Sequence, residues 1–516
     1  MTDVFQKIIT GNDLKNGSLV VSVNKFGTIT KHIINPKINN DDTITTQSGL
    51  LDTRFDDVKY YIARTIAAVQ AAFEEWSQKG GDIDGEAAGD QSGWSVSLSG
   101  NGNIVAIGAN KNDGTGTDAG HVRVYEYSGS SWSQKGGDID GEAADDRSGY
   151  SISLSNDGSI LAIGARFNDG TGSNAGHTRV YEYSGSAWVQ RGSDIDAEAV
   201  SDQSGYSVSL SSDGSIVAIG AIFNDGAASN AGHTRVYEWN GSAWIQKGGD
   251  IDGEGSNDYS GYSVSLSDDG DIVAIGAIFA DAASSIVGHV RVYEYNGSAW
   301  VQKGSDIDGE ASGDQFGRSV SLSSDGSILA IGSHYYDDGT GANAGYVQVY
   351  EYSGSSWSQK GSDIDGEAEF DESGWSVSLS SDGSIVAVGA IKNDGAGSNA
   401  GHVRVHEWNG SAWVQKGSDI DGEAASDYSG HSVSLSNDGR TVAIGAIYND
   451  GTASNAGHVR VYAGYTNLIN TALFHIKGFI MADVLKKVIT SNDLKNGSLL
   501  VSTNKFGTIT NHVIDP

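Results

Sequence analysis

A pentapeptide, W-x-Q-[KR]-G, recurs at Trp76, Trp132, Trp188, Trp244, Trp300, Trp357 and Trp413, and every spacing is 56 or 57 residues. A period of that length means that one supersecondary unit is copied and that each copy buries its apolar face against the next. Each unit contains four short β runs and no helical periodicity. In the second unit the runs are residues 151–155, 160–165, 177–183 and 188–192. Asn156-Asp157-Gly158 joins the first two, and Asp-Gly is a strong hairpin signal because it tolerates positive φ. Ser-Gly-Ser joins the last two. Four antiparallel strands per unit make a propeller blade.

Each strand type occurs seven times between Trp76 and Tyr462, but in a shifted order. The series starts with a lone W-x-Q-K-G strand at Trp76 and ends on the third strand, 459–462, with no Trp after it. The expected solution is an all-β, seven-bladed propeller over 76–465, closed by residues 76–80 as the outer strand of the last blade. In such a meander the long loops, for example 168–176 and 194–205, emerge on one face and the short turns on the other. Binding sites usually lie on long loops carried by a rigid scaffold, so the long-loop face is the candidate surface.

Charge narrows the partners. The formal net charge is −34, which repels nucleic acid and anionic membrane surfaces alike. There is no Cys, so disulfides and thiolate chemistry are excluded. No run of about 18 apolar residues is present to span a membrane. The opening residues, MTDVFQKIITGNDLKNG, lack the apolar stretch of a signal peptide. A virion or extracellular location is expected on the functional reading given below.

Phe316-Gly317, followed by S-V-S-L-S, Asp-Gly, I-L-A-I-G and Y-V-Q-V-Y, resembles the FG-GAP repeat of integrin-α-type propellers. The other six units carry Ser-Gly where this one has Phe-Gly. The resemblance spans roughly residues 76–465. It implies a seven-bladed propeller used in adhesion, often with Ca²⁺ in a D-x-[DN]-x-D-G loop. The matching loop here is S-x-D-G, for instance Ser211, Ser212, Asp213 and Gly214, without the earlier carboxylates.

Two sets of site residues follow. The DIDGExxxDxSG segments carry 31 of the 66 acidic residues, and hard carboxylate oxygens suit Ca²⁺; Asp82, Asp84, Glu86 and Asp90 are the candidate set. No motif specifies a cofactor, so Ca²⁺ stands as the candidate and solvated charge as the alternative. A Gly-His pair opens the third strand in six units (His121, His177, His233, His289, His402 and His458), and Tyr346 replaces the His in the seventh. One His per blade cannot gather into a single metal site, so each is expected to cap its strand. The aromatics at the start of strand one, such as Trp94 and Tyr206, alternate with Val and Leu and are expected to pack between blades. A binding site on one side of a ring needs positions that differ between blades. The end of strand two supplies them: Arg166 and Phe167 in the second unit, and His334, Tyr335 and Tyr336 with Arg318 in the odd fifth unit.

The ends of the chain are copies of each other. Residues 1–36 and 481–516 agree at 26 of 36 positions, and both read as a small β module with a Lys-Asn-Gly turn (Lys15, Asn16, Gly17 in the first copy). The attachment module is drawn as 1–50. A helix, 51–75, is expected to follow it, with Phe55, Ile62, Val69 and Trp76 seven apart in a short heptad seam; this is a neck for a homotrimer or a stripe packed on the propeller. Residues 466–480 break the repeat just before Met481 and read as translated intergenic sequence joining tandem genes of a bacterium or phage. The functional expectation is a non-enzymatic phage or virion fibre. Its 1–50 module would bind other virion structural proteins, and its head a host-surface glycan or protein. A bacterial surface adhesin is the alternative, and a propeller enzyme such as a polysaccharide lyase is third.

Overall fold

The Trp-headed repeat folds as its strand count requires. A computed structural model describes residues 76–282, 285–335 and 341–464, together with the backbone pairing of 19–21, 32–34, 499–503 and 509–514. The chain divides into two units, Met1–Ala68 and Val69–Pro516, and the propeller lies in the second. The expected helix over 51–75, the linker 466–480, most of both end modules and Tyr336 lie outside the described residues.

Seven antiparallel sheets follow one another. In the second blade, Ser151–Leu154 pairs with Ile160–Ala165, which pairs with His177–Tyr183, which in turn pairs with Trp188–Gln190. The last blade takes its outer strand from the start of the ring: Trp76–Gln78 pairs with His458–Gly464, placing Trp76 opposite Gly464. The expected closure is therefore present. One loop assignment needs correction. The D-I-D segment is not free loop, because Ile195–Asp196 returns to the edge of His177–Tyr183, and the same happens in every blade.

The repeat's residue choices explain how blades adhere. Along S-V-S-L, Ile152 and Leu154 join the core formed by Ile104, Ala106, Val122 and Val124 of the preceding blade. The intervening serines stitch the inner strands together: Ser151 Oγ donates to the Gly205 carbonyl at 2.8 Å, and Ser153 Oγ accepts from Leu210 N–H at 2.9 Å. Outside, each Trp Nε1 donates to a carbonyl of the previous blade, and Trp76 completes that belt by reaching Lys416 O at 2.8 Å. The second strand approaches its neighbour too closely for any side chain. A Cβ on Gly164 would lie 2.1 Å from Gly205 O.

A third belt circles the short-turn face. Gly100, Asn156, Ser212, Asp268, Ser324, Ser381 and Asn437 each donate a backbone N–H to the carbonyl of the next, and Asn437 returns to Gly100, all at 2.8–2.9 Å. At the chain ends, Leu19–Val21 pairs with His32–Ile34, and Leu499–Thr503 pairs with Ile509–Ile514. The two copies share one register, with Leu19 opposite Ile34 and Leu499 opposite Ile514. Both described strands of the first copy follow Lys15-Asn16-Gly17; the strand expected before that turn falls on residues outside the described ones.

Candidate functional site at the axial mouth

The inner strand begins with S-G-[WY], and its glycine decides where the aromatic goes. Gly205 has φ +82°, and the pairing register shifts between Ser204 and Ser207, so Gly205-Tyr206 forms a β-bulge. A bulge re-aims side chains. The expectation that these aromatics pack between blades holds, since each meets the ring of the neighbouring blade, but the bulge sets them apart from the Val/Leu alternation and they close into one circle at the inner strands. Trp94, Tyr150, Tyr206 and Tyr262 meet in sequence, tilted against one another with centroids 4.9–5.3 Å apart. Arg318 continues the circle, 5.1 Å from the Tyr262 ring and 3.9 Å from Trp375. His431 closes it, 5.6 Å from Trp375 and 4.6 Å from Trp94. Burial, then the Arg318 charge, holds His431 down to about 3, so it is neutral near pH 7. Burial raises Tyr206 well above its ordinary range, so the phenol keeps its proton.

Directly after the second strand, the variable residues stand over this collar on the long-loop side. The Arg166 guanidinium lies 4.0 Å from the Tyr150 ring, 4.3 Å from Phe167 and 5.2 Å from Tyr206. Across the ring, His334 lies tilted against Tyr335 at 3.9 Å and meets Trp375 edge-on at 5.1 Å. Arg318, His334 and Tyr335 thus share one wall through Trp375, while Arg166 and Phe167 form another, three blades away. The residue preceding Ser-Gly in each loop supplies the rest of the rim. Tyr259 packs between Phe223 and Phe279 at 5.0 and 5.2 Å, Tyr428 meets Tyr448 at 5.1 Å, and Arg147 lies over Phe167 at 5.1 Å. Glu372 is paired with Lys392 at 2.7 Å. Sequence reading missed the collar and the residues before Ser-Gly. The signal for the latter was their variation from blade to blade (Gln91, Arg147, Gln203, Tyr259, Gln315, Glu372, Tyr428) within D-x-S-G, or D-x-F-G in the fifth unit.

The mouth also collects buried polar atoms without hydrogen-bond partners among the described residues. Both amide atoms of Asn110, Nδ1 of His334, Nε of Arg166 and Arg147, and Oε1 of Gln91 and Gln203 belong to this set. Asn110 is 0% and His334 2% exposed. Buried groups of this kind call for an explanation.

The acidic set is distributed differently from its expected form. Asp82 accepts from Gln78 Nε2 and lies near Glu423 and His458. The backbone carbonyl of Asp84 accepts from Arg123 Nη2 at 2.9 Å. Glu86 pairs with Arg123 Nη1 at 3.1 Å and lies 3.9 Å from His121 Nδ1. Asp90 is buried and takes hydrogen bonds from Ala87 N–H and Asn112 Nδ2. The four carboxylates therefore do not converge. Instead most blades hold one Glu, one His, one Arg and an Asp, as in Glu142, His177, Arg179 and Asp194. Burial and the neighbouring arginine hold His177, His233, His402 and His458 down to about 4. A guanidinium already neutralises each Glu, and an imidazole is a poor partner for Ca²⁺, which prefers oxygen ligands. In the S-x-D-G turn, Asp213 Oδ1 is occupied by Ser211 Oγ, Ser215 Oγ and Ser215 N–H. Neither arrangement fits Ca²⁺.

The fifth blade breaks the pattern coherently. Tyr346 and Gln348 replace His and Arg, Phe316 stacks on Tyr346 at 6.1 Å, and Gln348 Nε2 donates to Glu310 and Asp363. This is the Phe-Gly blade of the sequence.

One family comparison agrees with this architecture. The FG-GAP repeat matches residues 83–125, 305–350 and 418–462, so the chain carries FG-GAP repeats on a seven-bladed propeller. No curated protein matches it. Among solved structures, it is similar to a putative 6-phosphogluconolactonase from Bacteroides uniformis (10% identity, TM-score 0.45, 64% of this chain and 85% of that one). A periplasmic gluconolactonase from Pseudomonas aeruginosa gives 16% identity, TM-score 0.43 and the same coverages. The Cps50 (Swd1) β-propeller domain of Myceliophteria thermophila gives 10% identity and TM-score 0.45, covering 76% of this chain and 99% of that one. Among the described residues no helix is long and apolar enough to cross a membrane.

Proposed function

We propose that this protein is a non-enzymatic recognition protein whose propeller binds a host-surface ligand at the axial mouth of its long-loop face. One observation carries the reading. On a scaffold of near-identical blades, the residues that differ most from blade to blade converge on one place, and there aromatic faces, cations and unpartnered polar atoms surround the axis. Glu372, a carboxylate on this rim, is committed to Lys392, which leaves it ill placed for acid–base chemistry.

A phage or virion fibre is the setting that accounts for the rest of the chain. A duplicated end segment that pairs in the same register in both copies suits an attachment module. Binding of the labelled protein to intact bacteria tests the reading. The rim variants Phe223→Ser and Tyr335→Ser should each cut binding at least tenfold with unchanged melting. Undiminished binding by both variants would remove the mouth as the site.

A further inference from the structure

We infer that the axial mouth takes a carboxylate-bearing sugar residue, its acid group set against Arg166 and its hydroxyls against Asn110, Gln91 and Gln203. This inference rests on the mouth being the recognition site and adds the class of ligand. Three features of the chain's own chemistry carry it.

The first is charge. In a chain of net charge −34, Arg166 lies over aromatic rings with its Nε unpartnered among the described residues. Arg318 sits in the collar below, also between aromatic rings. Cations held this way are weakly compensated and suit an incoming carboxylate, which guanidinium groups bind in a fork. The second feature is the mixture of unmet needs. Gln91 and Gln203 offer buried acceptor oxygens, Arg166 and Arg147 offer donors, and Asn110 offers both at 0% exposure. A polyol answers such a set, because each hydroxyl both donates and accepts. A peptide would bring mainly one donor and one acceptor per residue in fixed alternation. The third is the aromatic rim of Phe167, Phe223, Tyr259 and Tyr335, which can cover the C–H faces of a pyranose.

Titration calorimetry of the full chain with 3′-sialyl-lactose, a glucuronate-terminated disaccharide and neutral lactose tests the assignment. At least one acidic sugar should bind ten times or more tightly than lactose, and Arg166→Gln should weaken it at least tenfold. If Arg166→Gln does not fold, Phe223→Ser carries the same expectation. Equal affinity for lactose, no binding of either acidic sugar, or full binding by the folded Arg166→Gln protein would overturn the proposal, as would tighter binding of a hexaglutamate peptide. The cell assay separates this failure from that of the broader reading. Mouth-dependent cell binding that acidic sugars fail to inhibit would refute the ligand class and leave the recognition site standing.

Discussion

Acid should unfold this propeller well above the pH at which its carboxylates protonate, because its histidines are buried neutral. His177, His233, His402, His406 and His458 are held down to about 4 and His431 to about 3, against an ordinary 6.5. The folded state therefore binds fewer protons than the unfolded chain between pH 6.5 and 4. Stability is full above that window and is lost as pH falls through it. At pH 5 each histidine costs about 2 kcal/mol, so six together remove roughly 12 kcal/mol, as large as the whole stability of many domains. Burial raises Asp84, Asp196, Asp252 and Asp421, which act in the opposite sense, but from an ordinary value of 3.8 and so at the lower end of the window. Guanidinium unfolding followed by tryptophan fluorescence, at half-unit steps from pH 7.5 to 4.5, measures the effect. The slope near pH 5 should correspond to the uptake of roughly five protons on unfolding. The fifth blade supplies the control: Ser148→Phe, His177→Tyr and Arg179→Gln together copy Phe316, Tyr346 and Gln348, and should reduce the uptake by about one proton. A flat profile from pH 7 to 5, or an unchanged slope in the triple variant, would refute the reasoning.

Further outcomes follow from the belts and the turns. Trp76→Ala removes both the bond to Lys416 O and packing against Ile385 and Tyr462, and should cost about 2–4 kcal/mol in chemical denaturation. Deleting residues 76–84 should expose the edge of the last blade and appear as aggregation in light scattering. Gly164→Ala drives a methyl into Gly205 O and should lower stability by about 2 kcal/mol or more, whereas Ser153→Ala loses one bond worth about 1 kcal/mol. CaCl₂ and NaCl at equal ionic strength should shift melting equally, through screening alone; a saturable shift with Ca²⁺ only would reveal a site that the described carboxylates do not form.

What could be read beforehand depended on whether a residue's role repeats. The strands, the hairpin turns and the closure by Trp76 follow from period, alternation and counting, because every copy must solve the same packing problem. The collar was not legible, since Gly205-Tyr206 reads as two steps of an alternating strand until the bulge is seen. Arg166, Phe167, His334 and Tyr335 could be picked out as variable. Their convergence, however, depends on side chains three blades apart facing one axis, which no local pattern encodes. The carboxylates misled for a related reason. Asp82, Asp84, Glu86 and Asp90 are neighbours in sequence, but a strand-edge return and a tight turn point them at different partners.

The circle of backbone bonds from Gly100 to Asn437 and back has a genetic consequence. All seven N–H groups point the same way round, so every blade has a predecessor and a successor and none is terminal. Tandem near-identical repeats invite unequal recombination, which gains or loses whole units. In an open solenoid such an event only lengthens or shortens the rod. Here it would leave a donor and an acceptor without their neighbours and change the angle at every blade interface at once. Copy number is thereby fixed by geometry, and individual units remain free to diverge at the axial mouth or, as in the fifth blade, by changing a set of touching residues together.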